Sequence, residues 1–153
     1  MAEQKPAENE QSNVQFEIRK IYLKDASLES PQSPNIFLKL ETSPNIDINI
    51  NISENKLSAD GYYDVILSVT VNAKFEDQTA FLCEVQQGGV FSISGLPEEE
   101  LPLALNIACP NVLLPFAREA ISDLITKAGF PQLLLSPVNF EALYHKKLSA
   151  KKH

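Results

Sequence analysis

Two cysteines, two histidines, one acidic triplet and one glycine pair are the parts of this chain with obvious chemical potential. Cys83 and Cys109 could act as nucleophiles or metal ligands. A thiol nucleophile needs a base within reach, and a metal needs three or four well-placed ligands. The histidines, His145 and His153, stand at the far end of the chain, and neither cysteine has a histidine near it in sequence. Both thiols therefore read as reduced and buried, as expected of a protein in the cytoplasm. Gly88-Gly89 lacks the lysine and helix start of a phosphate-cradling loop. Glu98-Glu99-Glu100 matches the positive end of a following helix better than it makes a catalytic cluster. The expectation is a protein with no catalytic residue, no cofactor and no metal, hence not an enzyme.

The elements around these residues say more. Phe81 to Ile93, FLCEVQQGGVFSI, alternates with a period of two. Phe81, Cys83, Val85, Phe91 and Ile93 share one face, with Gln87 and Gly89 among them; Leu82, Glu84, Gln86, Val90 and Ser92 share the other. That is a strand buried on one side of its sheet. A glycine pair at its centre marks a bulge or the close approach of another group. Leu82 beside Glu84 places an apolar residue on the face that should be wet. Before this strand, Tyr63 to Phe75 alternates cleanly, and Glu76 to Thr79 joins the two as an antiparallel hairpin.

Upstream, Val14, Phe16 and Ile18 alternate, then Ile21 and Leu23 continue one residue out of phase. A bulge near Arg19-Lys20 absorbs such a slip. Lys24 to Pro31 leaves the pattern and reads as a long crossover, after which Ile36–Glu41 and Ile46–Ile52 resume extended structure. Asp60-Gly61 is a turn signal. After Gly95 the apolar period becomes helical from Leu105 to Ala128, with Pro110 in a first turn, Pro115 at a kink or later start, and Gly129 as the stop. Ser136 and Pro137 would open a second helix carrying Phe140, Leu143, Tyr144 and Leu148. Four strands followed by two helices give an α+β fold with an antiparallel sheet. The helical stripe is too broad for one sheet to cover, which favours an oligomer.

Composition bounds the partners. The chain has 153 residues, 44% hydrophobic, and a net charge of -7. Residues 1–144 hold nine basic and twenty acidic side chains, while Lys146, Lys147, Lys151 and Lys152 sit in a basic end. An acidic body disfavours nucleic acid and suits a basic protein surface. No apolar run approaches the ~20 residues that span a bilayer, so no direct membrane insertion is expected. MAEQKPAENEQSN has no basic start and apolar centre of an export signal and reads as a disordered tail. The organisation is then a tail over 1–13, a domain over 14–148 and a flexible basic tail over 149–153.

Two connectors, Pro31 to Phe37 and Phe130 to Val138, carry large apolar residues where loops are usually polar. Either each folds onto its own core, or together they make a groove for extended apolar polypeptide. Burying ~1,000 Å² of apolar surface gives ~25 kcal/mol before association and ordering costs, enough for useful affinity.

Three stretches, AFLCEVQQGGVFSISG (Ala80 to Gly95), CPNVLLPFARE (Cys109 to Glu119) and GFPQLLLSPVNFEALY (Gly129 to Tyr144), closely resemble the SecB family of protein-export chaperones. Weaker similarity runs through Phe16 to Phe37 and YYDVILSVTVNA. The resemblance implies a cytosolic, ATP-independent chaperone that holds unfolded preproteins and delivers them to the SecA translocation ATPase. It also implies a homotetramer, a dimer of dimers. By that similarity the SecA contacts fall on Asp25, Glu29, Leu82 and Glu84, and the tetramer interface on Cys83, Val85 and Gln87. The client groove is placed on Phe37, Leu40, Leu133, Leu135, Phe140 and Tyr144. The other reading is an oligomeric, non-enzymatic adaptor that recognises a folded basic partner through its acidic face and has no client groove.

Overall fold

Alternation of β-branched and aromatic residues makes the hairpin at the centre of the molecule, β3 (Tyr62–Phe75) with β4 (Gln78–Ser94). In the computed structural model, which describes residues 13–39 and 44–151, these strands lie in one antiparallel sheet of order β1-β4-β3-β2. β1 (Gln15–Glu29) and β2 (Asn45–Lys56) form its edges. The chain between them passes from one edge to the other, as the crossover pattern requires. Leu40 lies outside the described residues.

The phase slip in β1 is a bulge, with Ile18 opposite Phe91 and Lys20 opposite Val90. A second register shift between Leu23 and Asp25 restores the core face for Ala26 and Leu28. β1 therefore continues to Glu29 instead of ending at Lys24. Extended structure is also not resumed at Ile36. Asn35–Leu38 is a 3-10 turn, closed by the Phe37 N–H on the Pro34 carbonyl and the Lys39 N–H on that of Ile36.

The β3–β4 turn consists of Glu76 and Asp77 alone, both at positive φ (52° and 65°). That mirror-image geometry matches strand twist but strains residues that carry a Cβ. Glu76→Asn with Asp77→Gly is expected to raise stability by about 1 kcal/mol, seen as a higher urea midpoint with unchanged slope. An unchanged midpoint would count against strain at this turn.

One continuous helix, α1, runs from Glu98 to Lys127 across the sheet. Glu98–Glu100 form its acidic first turn, as the dipole argument expects. It passes through both prolines rather than starting at one. Ahead of Pro110 the helix widens to a π turn over Ala104–Ala108, where the Cys109 N–H returns to the Ala104 carbonyl. The wider turn makes room for a ring that cannot donate. The Asn111 side-chain amide donates to the Ile107 carbonyl at 3.0 Å. α1 ends at Gly129 (φ 97°), where the Phe130 N–H caps the Ile125 carbonyl at 3.2 Å.

By length and mean hydropathy α1 could cross a bilayer; one part of its apolar side is packed on the sheet. Leu113, Ala117, Ile121 and Ile125 are fully buried over Val65, Leu67, Val69, Val71, Cys83, Val85 and Phe91. The connector then turns back along α1: Gln132 Nε2 donates to Ser122 Oγ at 3.0 Å and Arg118 Nε to the Leu135 carbonyl at 3.1 Å. The second helix, α2 (Phe140–Lys151), is capped by Asn139, whose Oδ1 accepts the Ala142 N–H at 2.9 Å. Asn139 thus replaces Ser136 as cap. The helix also continues through residues 149–151, where the sequence reading expects a flexible tail. The result is the expected α+β layer of a four-stranded antiparallel sheet and two helices.

Candidate binding surfaces

The sheet has one face under α1 and one face open. Register decides which residue is where. On β4 the odd positions face α1, so Cys83, Val85 and Gln87 are all buried within the single chain. They lie on the face of β4 that α1 covers. Gln87 Nε2 is held by the Tyr22 carbonyl at 2.9 Å. Burial first, and the nearby Glu84 charge second, push the Cys83 thiol up to about 11. Burial first, then Glu54, pushes Cys109 up to about 12. Both cysteines are free thiols.

At pH 8 both thiols are expected to react with an aromatic disulfide reagent only as fast as the protein unfolds. Both should react at once in denaturing urea; fast native reaction would contradict this burial. Because the fold favours the protonated thiols, their contribution is complete below pH 9, the unfolded value. It is lost as pH rises through about 11 and 12.

The glycine pair is not a bulge, since Tyr22 opposite Gly88 and Ile21 opposite Gly89 keep an unbroken register. Each glycine admits a group from a different side. On the open face the Tyr22 ring lies flat over Gly88, and a Cβ there would fall 2.7 Å from its Cε1 and Cε2. Tyr22 thereby spans β4 and donates its hydroxyl to Asp64 Oδ1 on β3 at 2.5 Å. Burial first, then this hydrogen bond and the Asp64 charge, push the Tyr22 hydroxyl up to about 12. On the other face a Cβ at Gly89 would meet the Phe91 ring at 2.7 Å and Leu113 of α1 at 2.9 Å.

The open face gathers the acidic residues. Asp25 is opposite Gln86, Ser27 opposite Glu84 and Glu29 opposite Leu82, so Asp25, Glu29, Leu82 and Glu84 share one face of two adjacent strands. Leu82 is half-buried between Glu29 and Asn72; Asp25, Glu29 and Glu84 are exposed. The structure therefore brings this group together, as one apolar residue among three carboxylates.

The other expected group separates. Leu135 and Phe140 are core residues, Leu133 is half-buried against the core, and Tyr144 lines a cavity beside β2. Leu135 and Phe140 correct the sequence expectation, because a side chain sealed in the core cannot line a groove. Phe37 is 42% exposed and sits 5.3 Å, ring to ring, from Phe130, which is 4.8 Å from Phe81. The sequence reading missed the most exposed connector residues, Leu38 at 85% and Leu134 at 65%. Leu134 had a signal, since an extended connector turns the middle leucine of Leu133-Leu134-Leu135 away from its neighbours. Phe116 also stands 47% exposed on α1, which shows that one sheet does not cover its apolar stripe.

Among the described residues no group of three or more His, Cys, Asp or Glu side chains is placed to hold a metal ion. What the surface offers is a rigid acidic face and apolar connectors, the features of a protein-binding scaffold. A SecB family profile, preprotein translocase subunit SecB, matches residues 9–151. The chain belongs to the SecB family, a family of protein-export chaperones. It is 48% identical over 139 residues to the protein-export protein SecB of Nitrosospira multiformis, covering 91% of this chain and 86% of that one. To the Neisseria gonorrhoeae protein of that name it is 48% identical over 136 residues, covering 88% and 91%. Its fold is similar to that of a SecB-like chaperone of Mycobacterium tuberculosis solved with a ChAD peptide from an antitoxin. That match has a TM-score of 0.66 at 19% identity and covers 81% of this chain and 91% of that one.

Proposed function

We propose that this protein binds unfolded preproteins in the cytoplasm without ATP, keeps them competent for translocation and delivers them to SecA. The observation that carries this reading is the apolar surface held out on connectors. Leu38 and Leu134 are largely exposed, and the Phe37, Phe130 and Phe81 rings stack in sequence beside the crossover. Surface of this kind binds the unfolded ensemble through side chains that a folded client hides, so it acts by mass action and needs no catalytic group.

The acidic open face, with Asp25, Glu29 and Glu84 around Leu82, suits a basic segment of SecA. A homotetramer built as a dimer of dimers would cover the apolar residues that one chain leaves open, including Phe116 on α1 and Phe16 and Ile18 on β1. In that assembly Cys83, Val85 and Gln87 act by seating α1 against the sheet. The adaptor reading shares the acidic face but gives the exposed leucines no role.

The test is light scattering of a slow-folding preprotein diluted from urea, with this protein and no nucleotide. Delayed aggregation of the unfolded form, with no binding to the folded form, is the expected outcome. No delay for any slow-folding preprotein favours the adaptor. Native mass spectrometry tests assembly, and a strictly monomeric 17.0 kDa species would exclude the tetramer.

A further inference from the structure

α2 changes character along its length. Phe140 is sealed in the core, and one turn on Leu143 and Tyr144 are half-buried. The next turn brings Lys146 and Lys147 to the same side, because residues three and four apart lie one above the other on a helix. Ile50 and Ile52 of β2 form the facing wall of an open cavity of about 280 Å³, which both lysines and Ala150 also line. The cavity is therefore apolar beside Leu143 and basic towards Ala150.

Lys146 and Lys147 are exposed, and among the described residues neither makes an ion pair. Among those residues they are also the only charged side chains in the wall. Asn106 closes the wall from α1, with its amide nitrogen spent on Glu54 Oε2 at 2.7 Å and the Pro102 carbonyl at 2.9 Å. Glu54 itself does not line the cavity, so no carboxylate there opposes a bound anion. Lysine stems lie along apolar surface while their heads stay in water, so the same residues meet both an apolar body and its charged end.

We propose that this cavity binds a small amphiphilic anion, a free fatty carboxylate, with its chain between β2 and α2 and its carboxylate at Lys146 and Lys147. The occupant follows from volume and charge. At about 30 Å³ for each water-sized group, the space takes a single chain of about eight to ten carbons. A hydrocarbon chain brings no polar group that the isoleucines and Leu143 would leave unpaired. A few charged groups at one end of an apolar pocket then fix the orientation of the ligand. A cationic amphiphile meets like charge in the same place, and a neutral one gains nothing from the lysines. This site is separate from the export role, and its failure leaves that role untouched.

The test is titration calorimetry of the full chain at pH 8 and low salt, with every ligand kept below its micelle-forming concentration. Decanoate is expected to bind at least tenfold more tightly than decanol or decyltrimethylammonium. From hexanoate upward, affinity should rise roughly fourfold per added methylene and level off near about ten carbons, when the cavity is full. Lys146→Gln with Lys147→Gln should cost decanoate at least tenfold and leave decanol unchanged. Lys127→Gln, which removes a lysine paired with Asp123 on α1, should leave decanoate binding unchanged. Anionic phospholipid vesicles should not bind, since two chains exceed the cavity. Equal binding of decanoate, decanol and the cation overturns the proposal, as does an unbroken rise through dodecanoate. Equal losses in the Lys127 and double-lysine variants, binding to vesicles but not to decanoate, or no binding at all would each overturn it too.

Discussion

Gly88→Ala should destabilise this protein by about 3 kcal/mol, a large effect for one methyl group on a sheet surface. The new Cβ falls inside the space of the Tyr22 ring, 2.7 Å from two of its atoms. Overpacking of this kind costs about 1–3 kcal/mol. Displacing the ring also breaks the hydrogen bond to Asp64, worth about 1.5–3 kcal/mol for a charged acceptor. It further opens Ile66, which is buried opposite Gly88 on the face that no helix covers. The gain from a stiffer unfolded chain, about 0.5–1 kcal/mol, offsets only part of this.

The measurement is urea unfolding at fixed protein concentration for Gly88→Ala, Tyr22→Ala and the double variant. With the ring gone the alanine has room, so the two changes should fall short of additive by at least about 1 kcal/mol. Full additivity, or a neutral Gly88→Ala, would refute the account. The Tyr22 hydroxyl adds a pH signature. The fold holds its proton, so its contribution is present below pH 10 and is lost as pH rises through about 12. Tyr22→Phe should remove that part of the alkaline loss.

Glu84→Lys should weaken SecA binding about 10–100-fold while client binding stays within about twofold, since each tenfold is about 1.4 kcal/mol. Glu84 is exposed on the open face in the row next to Leu82, with Asp25 and Glu29 on the neighbouring strand. Reversing its charge turns attraction for a basic segment into repulsion, and the loss should shrink as salt is added. The side chain points away from α1, the connector and the β2 cavity, so the fold and the client surface have no reason to change. Equal loss of SecA and client binding would sink the division of labour between the two faces.

Much of this fold is legible in the sequence, and the places where the structure departs from that reading have common physical causes. The slip at Arg19 was readable because bulky apolar residues stand on both sides of it. The shift at Lys24 was not, because Ala26 and Leu28 are too sparse a pattern to show a restored phase. Pro110 was read as a helix start because proline spoils an α-turn; a π turn three-dimensionally relieves the same clash. Ser136 was a sound cap by type, but Asn139 is the residue whose side chain reaches a free N–H in the first turn of α2, that of Ala142.

The sequence by itself determined the strands, the helices, the hairpin and which residues share a face, because those follow from a periodicity of two or 3.6 along a stretch of chain. It also marked Gly88-Gly89 as a place of close approach or bulge. Only the tertiary structure decided what approaches: Tyr22 on one face, and Leu113 with Phe91 on the other. It likewise decided that Cys83, Val85 and Gln87 lie beneath their own helix, and that Leu135 and Phe140 belong to the core while Leu38 and Leu134 stand free. Periodicity reports which side chains point the same way. What covers them comes from residues distant in sequence, and that is settled only when the elements pack.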